Sequence, residues 1–306
     1  MTGKELSTRI KAKAIEIGFH ACGIVRAEEL TEEKQFLHSW LNLNYHGSMK
    51  YMENHFNERT NPSLLLEGTQ SVIIALKNYY PAEKQSHILP KIAKYAYGKD
   101  YHIIIKNQLK SLLDFIKEHH EGAEGRVFTD SAPLLERSLA QRAGLGWIGK
   151  NTMLINKQIG SFVFIGEIIL NTELVYDETE IKDYCANCTK CIEACPTNAI
   201  LEPHLLDARK CISYYTIENQ GEIPGEFKGK FDNWIFGCDI CQDVCPWNQK
   251  SIHNKEPAFK PILEIMKYSK NDWLNLDKSD FDKRFRNSPL KRSKYEGIRR
   301  NVKFID

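Results

Sequence analysis

The crowding of cysteines is the feature that most constrains the fold of this 306-residue sequence. Eight of the nine cysteines lie between Cys185 and Cys245, and only Cys22 stands apart. The first residues contain no apolar stretch typical of an export signal, so we expect a reducing, cytoplasmic location. Clustered thiols in such a location are more typical of metal ligands than of disulfides. We therefore predict a metal-binding region and interpret Cys22 as a small core residue.

The first cysteine run is Cys185-x2-Cys188-x2-Cys191-x3-Cys195-Pro196. This is the spacing of bacterial ferredoxins, in which three cysteines hold one [4Fe–4S] cluster and the fourth serves another. Zinc is the competing interpretation, but zinc sites usually place two cysteine pairs well apart along the chain. The compact run followed by proline favours iron–sulfur clusters.

The second run ends at Cys245-Pro246 and has three cysteines, one fewer than the first. Two [4Fe–4S] clusters need eight thiolates, and Cys211 supplies the eighth. Crossed ligation then assigns Cys185, Cys188, Cys191 and Cys245 to cluster 1, and Cys195, Cys211, Cys238 and Cys241 to cluster 2.

Helical and strand patterns alternate before residue 170, which favours an α/β domain. The 42% of hydrophobic residues is sufficient for a packed core. The patterns predict helices over 4–17, 32–43, 101–119 and 133–143, and strands over 20–25, 71–76, 126–129, 152–155 and 161–170. The apolar run 161–170 is broken by Glu167 and is too short to span a membrane. We divide the chain into a catalytic domain (1–175), a cluster domain (176–255) and a C-terminal segment (256–306).

Charge is distributed unevenly along the chain. Residues 283–306 contain nine Lys or Arg and two acidic residues, a net charge of +7, whereas the whole chain carries only +2. The remaining residues therefore sum to −5. A basic end on an acidic body indicates contact with a polyanion, although a solvated surface helix would have the same composition.

A glycine-rich stretch, 144–149, fits G-x-G-x-x-G and is followed by Lys150. A dinucleotide-binding loop follows a strand and opens a helix, whereas this stretch follows a predicted helix. A P-loop also requires Ser or Thr after its lysine, where this chain has Asn151. We interpret Gly144 as a helix C-cap before a tight turn that could form a cofactor wall.

Asp130 lies where a predicted strand meets a predicted helix. An N-cap role is the favoured interpretation from spacing alone, because Asp is common there and Pro133 suits the first turn. Burial against an apolar cofactor would instead raise the pKa of Asp130 and make it a proton donor. His102 is not followed by the glycine of a D-x-H-x-x-G cobalamin motif, since Ile105 takes that position.

Four stretches accompany the first cysteine run: 95–102 (YAYGKDYH), 129–137 (TDSAPLLER), 144–151 (GLGWIGKN) and 238–248 (CDICQDVCPWN). Together they resemble the epoxyqueuosine reductase family along nearly the whole chain. The resemblance implies an α/β (α+β) cobalamin-binding domain similar to that of reductive dehalogenases, followed by a bacterial two-[4Fe–4S] ferredoxin-like domain. It also implies a short form without the C-terminal helical-repeat extension of some relatives.

The implied activity is the last step of queuosine biosynthesis, an oxidoreductase reaction that reduces epoxyqueuosine at the tRNA wobble position with loss of water. Cobalamin and two [4Fe–4S] clusters are the implied cofactors, with an external low-potential donor of the ferredoxin or flavodoxin type. Asp130 is the implied proton donor, and we expect a monomer without membrane contact. Our cobalamin-side candidates are Asp130, Ser131, Asn151, Ser161, Cys238 and Asp239; our tRNA candidates are Arg292, Ser293, Lys294, Arg299 and Arg300.

Two other functions remain open from the sequence. One is a cobalamin-dependent reductase of a small molecule such as an organohalide, against which stand the basic C-terminal end and the lack of an export signal. The other is a non-catalytic electron-transfer protein, in which the α/β domain only docks a partner.

Overall fold

The computed structural model describes residues 2–177 and 182–305. The helices are α1 (Gly3–Ile17), α2 (Thr31–Asn42), α3 (Phe56–Thr60), α4 (Tyr101–His119), α5 (Glu136–Arg142), α6 (Lys190–Glu193), α7 (Ile240–Asp243), α8 (Lys270–Asn275), α9 (Lys278–Arg284) and α10 (Lys294–Phe304). The strands are β1 (Ala21–Arg26), β2 (Ser71–Asn78), β3 (Lys91–Ile92), β4 (Gly125–Phe128), β5 (Trp147–Ile148), β6 (Leu154–Ile155), β7 (Val163–Leu170), β8 (Ile200–Glu202), β9 (Leu205–Leu206) and β10 (Trp234–Phe236). None of the helices in these ranges has the length and apolar character that a membrane crossing requires.

A four-stranded sheet in the order β1–β2–β7–β4 forms the centre of the N-terminal half. Neighbouring strands run antiparallel, and Ile74 of β2 lies between Gly23 of β1 and Glu167 of β7. Every position of β2 is buried, as expected for a continuous apolar run in a central strand. The antiparallel pairing gives the predicted α/β domain an α+β character.

Helical layers cover both faces of this sheet. On one face, Leu6 and Ile10 of α1 pack with Ile105 and Leu109 of α4. Helix α1 begins with a capping box at Thr2, which satisfies its first free amides. Helix α5 and the segment 145–159 pack on the opposite face. The sheet therefore positions the start of α4 and the turn after β4 next to each other.

A second core joins three separated parts of the chain. Residues 92–97, 208–236 and 265–305 share one hydrophobic cluster, with Phe236 and Phe285 almost fully buried in it. Ile298 and Val302 contribute the apolar side of α10. The basic C-terminal segment thus packs against the body through its apolar face.

Most predicted elements are confirmed to within two residues, but the helix predicted over 133–143 begins only at Glu136. The residue before it, Leu135, gives no side-chain cap. The N-cap interpretation of Asp130 is therefore wrong. Asp130 precedes the helix by a full turn, adopts a left-handed backbone (φ 53°), and its carboxylate accepts a hydrogen bond from Tyr101 instead.

Candidate functional site

Four thiols gather around the first cysteine run. Burial raises the pKa of Cys191, and the neighbouring Cys185, Cys245 and Cys188 raise it further. Burial likewise raises the pKa of Cys245, with added contributions from Cys185 and Cys188. The fold thus brings Cys245 across more than fifty residues of chain to the group predicted for cluster 1.

The other four thiols form a second group. Burial raises the pKa of Cys238, with contributions from Cys211 and Cys241, and the pKa of Cys211 is raised by burial and by Cys195. Burial raises the pKa of Cys241, with contributions from Cys211 and Asp239. Cys195 and, from the first group, Cys191 raise it further. Among the described residues, no three His, Cys, Asp or Glu side chains lie close enough together to hold one metal ion. The mutual influences among the thiols divide them into the two sets that crossed ligation predicts, except that Cys191 also acts on Cys241, and the assignment of ligands stays a prediction.

The chemistry of these groups fits iron–sulfur clusters. All the cysteines are free thiols, and soft thiolate sulfurs are the usual ligands of such clusters. The backbone amide of Ala199 donates to Cys195 Sγ at 3.2 Å, and Trp147 Nε1 donates to Cys185 Sγ at 3.5 Å. Hydrogen bonds to sulfur are one means by which a protein sets a cluster's potential.

A large cavity of about 1890 Å³ opens beside the first cysteine group. Ordinary small-molecule pockets measure roughly 300–1,000 Å³, so this one can hold a macrocyclic cofactor together with part of a substrate. Its wall includes Trp147, whose indole also contacts Cys185. The cavity is therefore adjacent to the site predicted for cluster 1.

The glycine-rich turn contributes to this wall through packing and not through phosphate binding. The C-cap of α5 is Ala143, and Gly144 follows it with φ 76°, the left-handed backbone that commonly ends a helix. A Cβ on Gly146 would lie 2.4 Å from the Ile155 carbonyl oxygen, so glycine lets the turn approach β6 closely. This close approach places Trp147 and Ile148 on the cavity surface.

Asp130 projects into the cavity from the turn after β4, with its side chain 55% exposed. The Tyr101 hydroxyl donates to its Oδ2, and His102 Nε2 lies 3.7 Å from the same oxygen. Burial and the Asp130 charge raise the pKa of Tyr101 far above its ordinary value, so this phenol stays a donor. The sequence gives no sign that Tyr101 contacts Asp130, because only the fold brings α4 to this turn.

The other cobalamin-side candidates have different positions. Ser131 lines the cavity and its hydroxyl accepts from Lys106 at 2.8 Å. Asn151, Ser161 and Asp239 are buried and are not among the lining residues. The structure therefore does not support the prediction that these three residues contact cobalamin.

Those three polar side chains instead make hydrogen bonds that involve residues in or beside the second cysteine run. Asn151 Nδ2 donates to the Cys241 carbonyl at 3.3 Å, and Ser161 Oγ donates to Gln242 Oε1 at 2.9 Å. Asp239 Oδ2 accepts from the Lys94 amide at 2.8 Å. Cys238, the sixth candidate, belongs to the second cysteine group.

The tRNA candidates divide between the cavity mouth and the protein interior. Arg292 lines the cavity and makes a two-pronged contact with Glu218 at 2.9 and 3.1 Å. Lys294 is exposed at the start of α10, and Arg299 Nη1 donates to the Tyr295 hydroxyl at 2.6 Å. These three cations remain available near the surface.

Ser293 and Arg300 support the fold. The Ser293 hydroxyl donates to the Thr216 carbonyl at 2.8 Å. The Arg300 guanidinium donates to three backbone carbonyls at 2.6 Å each. Arg300 is half-buried and its donors bond backbone oxygens of the fold, while its predicted contact with tRNA stays a prediction.

Comparisons with known proteins agree with this architecture. The family model described as "Epoxyqueuosine reductase QueG, DUF1730" matches residues 59–131, and that of a "4Fe-4S double cluster binding domain" matches 184–248. An epoxyqueuosine reductase from Cyclobacterium marinum is 51% identical over 97% of this chain and 95% of its own length.

Solved structures give the same result. A crystal structure of an epoxyqueuosine reductase with an epoxyqueuosine-modified tRNA stem loop has a TM-score of 0.92 and 30% identity, covering 98% of this chain and 80% of that one. A catabolic reductive dehalogenase shares the fold at a TM-score of 0.51 and 16% identity, covering 99% of this chain and 38% of that one. The extent and identity of these matches show that the chain belongs to the epoxyqueuosine reductase family.

Proposed function

We propose that this protein reduces epoxyqueuosine to queuosine at the wobble position of tRNA, using cobalamin and two [4Fe–4S] clusters. One observation carries the proposal: Asp130 and Trp147 line the same large cavity. Asp130 is an exposed acid, and the Trp147 indole contacts the thiol of Cys185, a proposed cluster ligand. Proton delivery and electron supply can therefore reach the same bound molecule. Membership of the reductase family supports the substrate.

The reaction requires two electrons and two protons, because the epoxide oxygen leaves as water. Cobalamin, when bound, supplies a strongly reducing electron pair. The cavity residues Asp130, Ser131, Trp147 and Ile148 are those we propose to surround it. The eight cluster cysteines are proposed to hold the two electron carriers in the groups described above.

Asp130 is the proposed proton donor to the departing oxygen. Its carboxyl is half exposed to the cavity and is oriented by the Tyr101 hydroxyl. A carboxylic acid placed in this way can protonate an alkoxide oxygen as the carbon–oxygen bond breaks. His102, near the same oxygen, can help to return a proton to Asp130 between turnovers.

Replacing Tyr101 with phenylalanine removes the hydroxyl that orients Asp130. We expect kcat to fall about tenfold, the effect of losing one hydrogen bond to a charged group. The KM for tRNA should stay unchanged. Tyr268→Phe is the control, because its hydroxyl donates to Glu264 at the surface. Equal rates for the wild type and Tyr101→Phe would contradict this orienting role.

An external low-potential donor, such as a ferredoxin or flavodoxin, is proposed to dock near the first cysteine run. Residues 186, 187, 189 and 190 between those cysteines are exposed. Such a surface loop gives a partner protein close access to cluster 1. We also propose a cytoplasmic monomer, consistent with a tRNA substrate, and retain the division at residues 175 and 255.

The tRNA is proposed to lie across the cavity mouth and the start of α10. The neighbour bound to a modified tRNA stem loop supports a tRNA substrate. On this chain Arg292 lines the cavity, and Lys294 and Arg299 lie on the adjoining helix α10. Phosphate contacts of this kind orient a nucleic acid without reading its sequence.

Lys294→Glu tests this contact better than Arg292→Glu, which would place two carboxylates together at Glu218. We expect Lys294→Glu to weaken tRNA binding and to reduce the slope of log affinity against log salt by about one. Lys4→Glu, an equal charge change on the exposed start of α1, is the control. Identical salt slopes for Lys294→Glu and the wild type would indicate that this end of α10 is solvated and does not contact tRNA.

The activity is tested in cells by removing the gene for this chain. We expect tRNA nucleosides from the deletion strain to contain epoxyqueuosine in place of queuosine, and a plasmid copy to restore queuosine. Unchanged queuosine in a strain without a second reductase would contradict the proposed substrate and favour a small-molecule reductase.

A further inference from the structure

A buried glutamate lies behind the Asp130 turn. Glu167 is on β7, on the same face as the apolar Ile165 and Ile169, and has no accessible surface. Both of its carboxyl oxygens lack a hydrogen-bond donor among the described residues. An ionised carboxylate in this position would be costly, because buried charges need partners.

Glu167 lies opposite Phe128 of β4, two residues before Asp130, and α5 packs against β7. The Glu136 carboxyl at the start of α5 acts on Glu167 through its charge. Glu136 also lines the cavity and accepts a hydrogen bond from the Asp130 backbone amide. Two ionised carboxylates can only accept hydrogen bonds, so they cannot satisfy one another. A single shared proton removes this conflict and lets one carboxyl donate to the other.

The surroundings favour this singly protonated state. Burial raises the pKa of Glu167, and the charge and hydrogen bond of Glu136 raise it further. Burial and the Asp130 charge raise the pKa of Glu136. The hydrogen bonds from the Asp130 amide and from Glu167 lower it, as does the Arg137 charge, but the net direction is upward. Arg137 itself donates to the Thr152 carbonyl. Asp130, Arg137 and Tyr101 of α4 are the ionisable groups that face the pair.

We propose that Glu167 holds a proton at neutral pH and donates it in a hydrogen bond to Glu136, which in turn fixes the Asp130 turn for catalysis. Glu167 is thus a positioning residue that never contacts the substrate. Glu136 connects it to Asp130, whose left-handed backbone needs such an anchor. The inference rests on the proposed role of Asp130 as the acid.

Infrared spectroscopy tests the proton without requiring turnover. We expect the cluster-loaded wild type to show the carbonyl band of a protonated carboxylic acid, shifted in heavy water, at pH values above the ordinary glutamate pKa. The band should be absent in Glu167→Gln and unchanged in Glu173→Gln, an exposed carboxyl. Identical wild-type and Glu167→Gln spectra would overturn the proposal, whatever the enzyme's substrate.

Kinetics test the positioning. The amide of Glu167→Gln can still donate to Glu136, so we expect kcat within about threefold of wild type. Glu167→Leu has no donor, and a displaced Asp130 should lower kcat by about 10- to 100-fold, with the KM for tRNA and the cluster content unchanged. Equal losses in Glu167→Gln and Glu167→Leu would contradict a positioning role. If the wild type itself fails to reduce epoxyqueuosine, the proposed function fails while the infrared result stands alone.

Discussion

Asp130→Asn is expected to abolish turnover while leaving cobalamin and tRNA bound. Asparagine has nearly the same shape and can still accept the Tyr101 hydrogen bond, but its amide cannot release a proton to an alkoxide. Positioned general acids contribute about 10²- to 10⁴-fold to rates, so the single-turnover rate should fall by at least that lower value. The measurement is the appearance of queuosine under anaerobic single-turnover conditions.

Two controls keep this result interpretable. Asp114→Asn neutralises an exposed carboxyl on α4 and should react at the wild-type rate. Binding of cobalamin by Asp130→Asn, followed by its visible spectrum, should match the wild type. A near-normal single-turnover rate in Asp130→Asn would exclude Asp130 as the essential acid.

The second large effect is expected from Cys211→Ser. Cys211 lies outside both compact runs, yet its thiol neighbours Cys195, Cys238 and Cys241. Since a [4Fe–4S] cluster is held by four cysteines, losing one should destabilise cluster 2. We expect anaerobically purified protein to fall from about eight to about four irons per chain, with no reductase activity.

Cys22→Ser is the matched control for this experiment. Cys22 packs beside the core of α1 and α4, and burial raises its pKa to about 12, so it is an inert thiol. Its variant should retain the full iron content and activity. Full iron in Cys211→Ser would show that Cys211 is not the eighth ligand, and loss of iron in Cys22→Ser would show that Cys22 is needed for cluster assembly.

The cysteine groups could be anticipated because spacing and stoichiometry leave few solutions. Once the two compact runs are recognised, Cys211 is needed to complete eight thiolates, and the structure brings it to the expected neighbours. The central strands could be predicted for a similar reason, since residues 72–76 of β2 form a continuous apolar run. Such features are encoded locally and need no knowledge of distant contacts.

Features set by distant contacts could not be anticipated. Aspartate is common at N-caps, but the Asp130 carboxylate accepts from Tyr101 and its amide donates to Glu136, so Asp130 belongs to a loop that precedes α5. Asn151, Ser161 and Asp239 are polar residues near a glycine turn or a cluster ligand, yet their partners are buried groups around the second cysteine run. A sequence does not show which partner a buried polar group will find.

Glu167 is another residue whose role the sequence does not reveal. In the sequence it only interrupts an apolar run, and its significance depends on Glu136, which lies thirty-one positions earlier. The register of β7 sets Glu167 opposite Phe128, just before the Asp130 turn, and α5 begins at Glu136 and packs against β7. A buried polar residue on a central strand can therefore mark a functional site that the neighbouring sequence does not reveal.

We expect this chain alone to convert epoxyqueuosine to queuosine in tRNA and to need cobalamin to do so. The most direct measurement is mass spectrometry of nucleosides after anaerobic incubation of the cluster-loaded protein with epoxyqueuosine-containing tRNA and a reductant, with and without cobalamin. We predict queuosine only when cobalamin is present. Queuosine formed equally without cobalamin, or none formed with cobalamin bound and both clusters intact, would contradict the account.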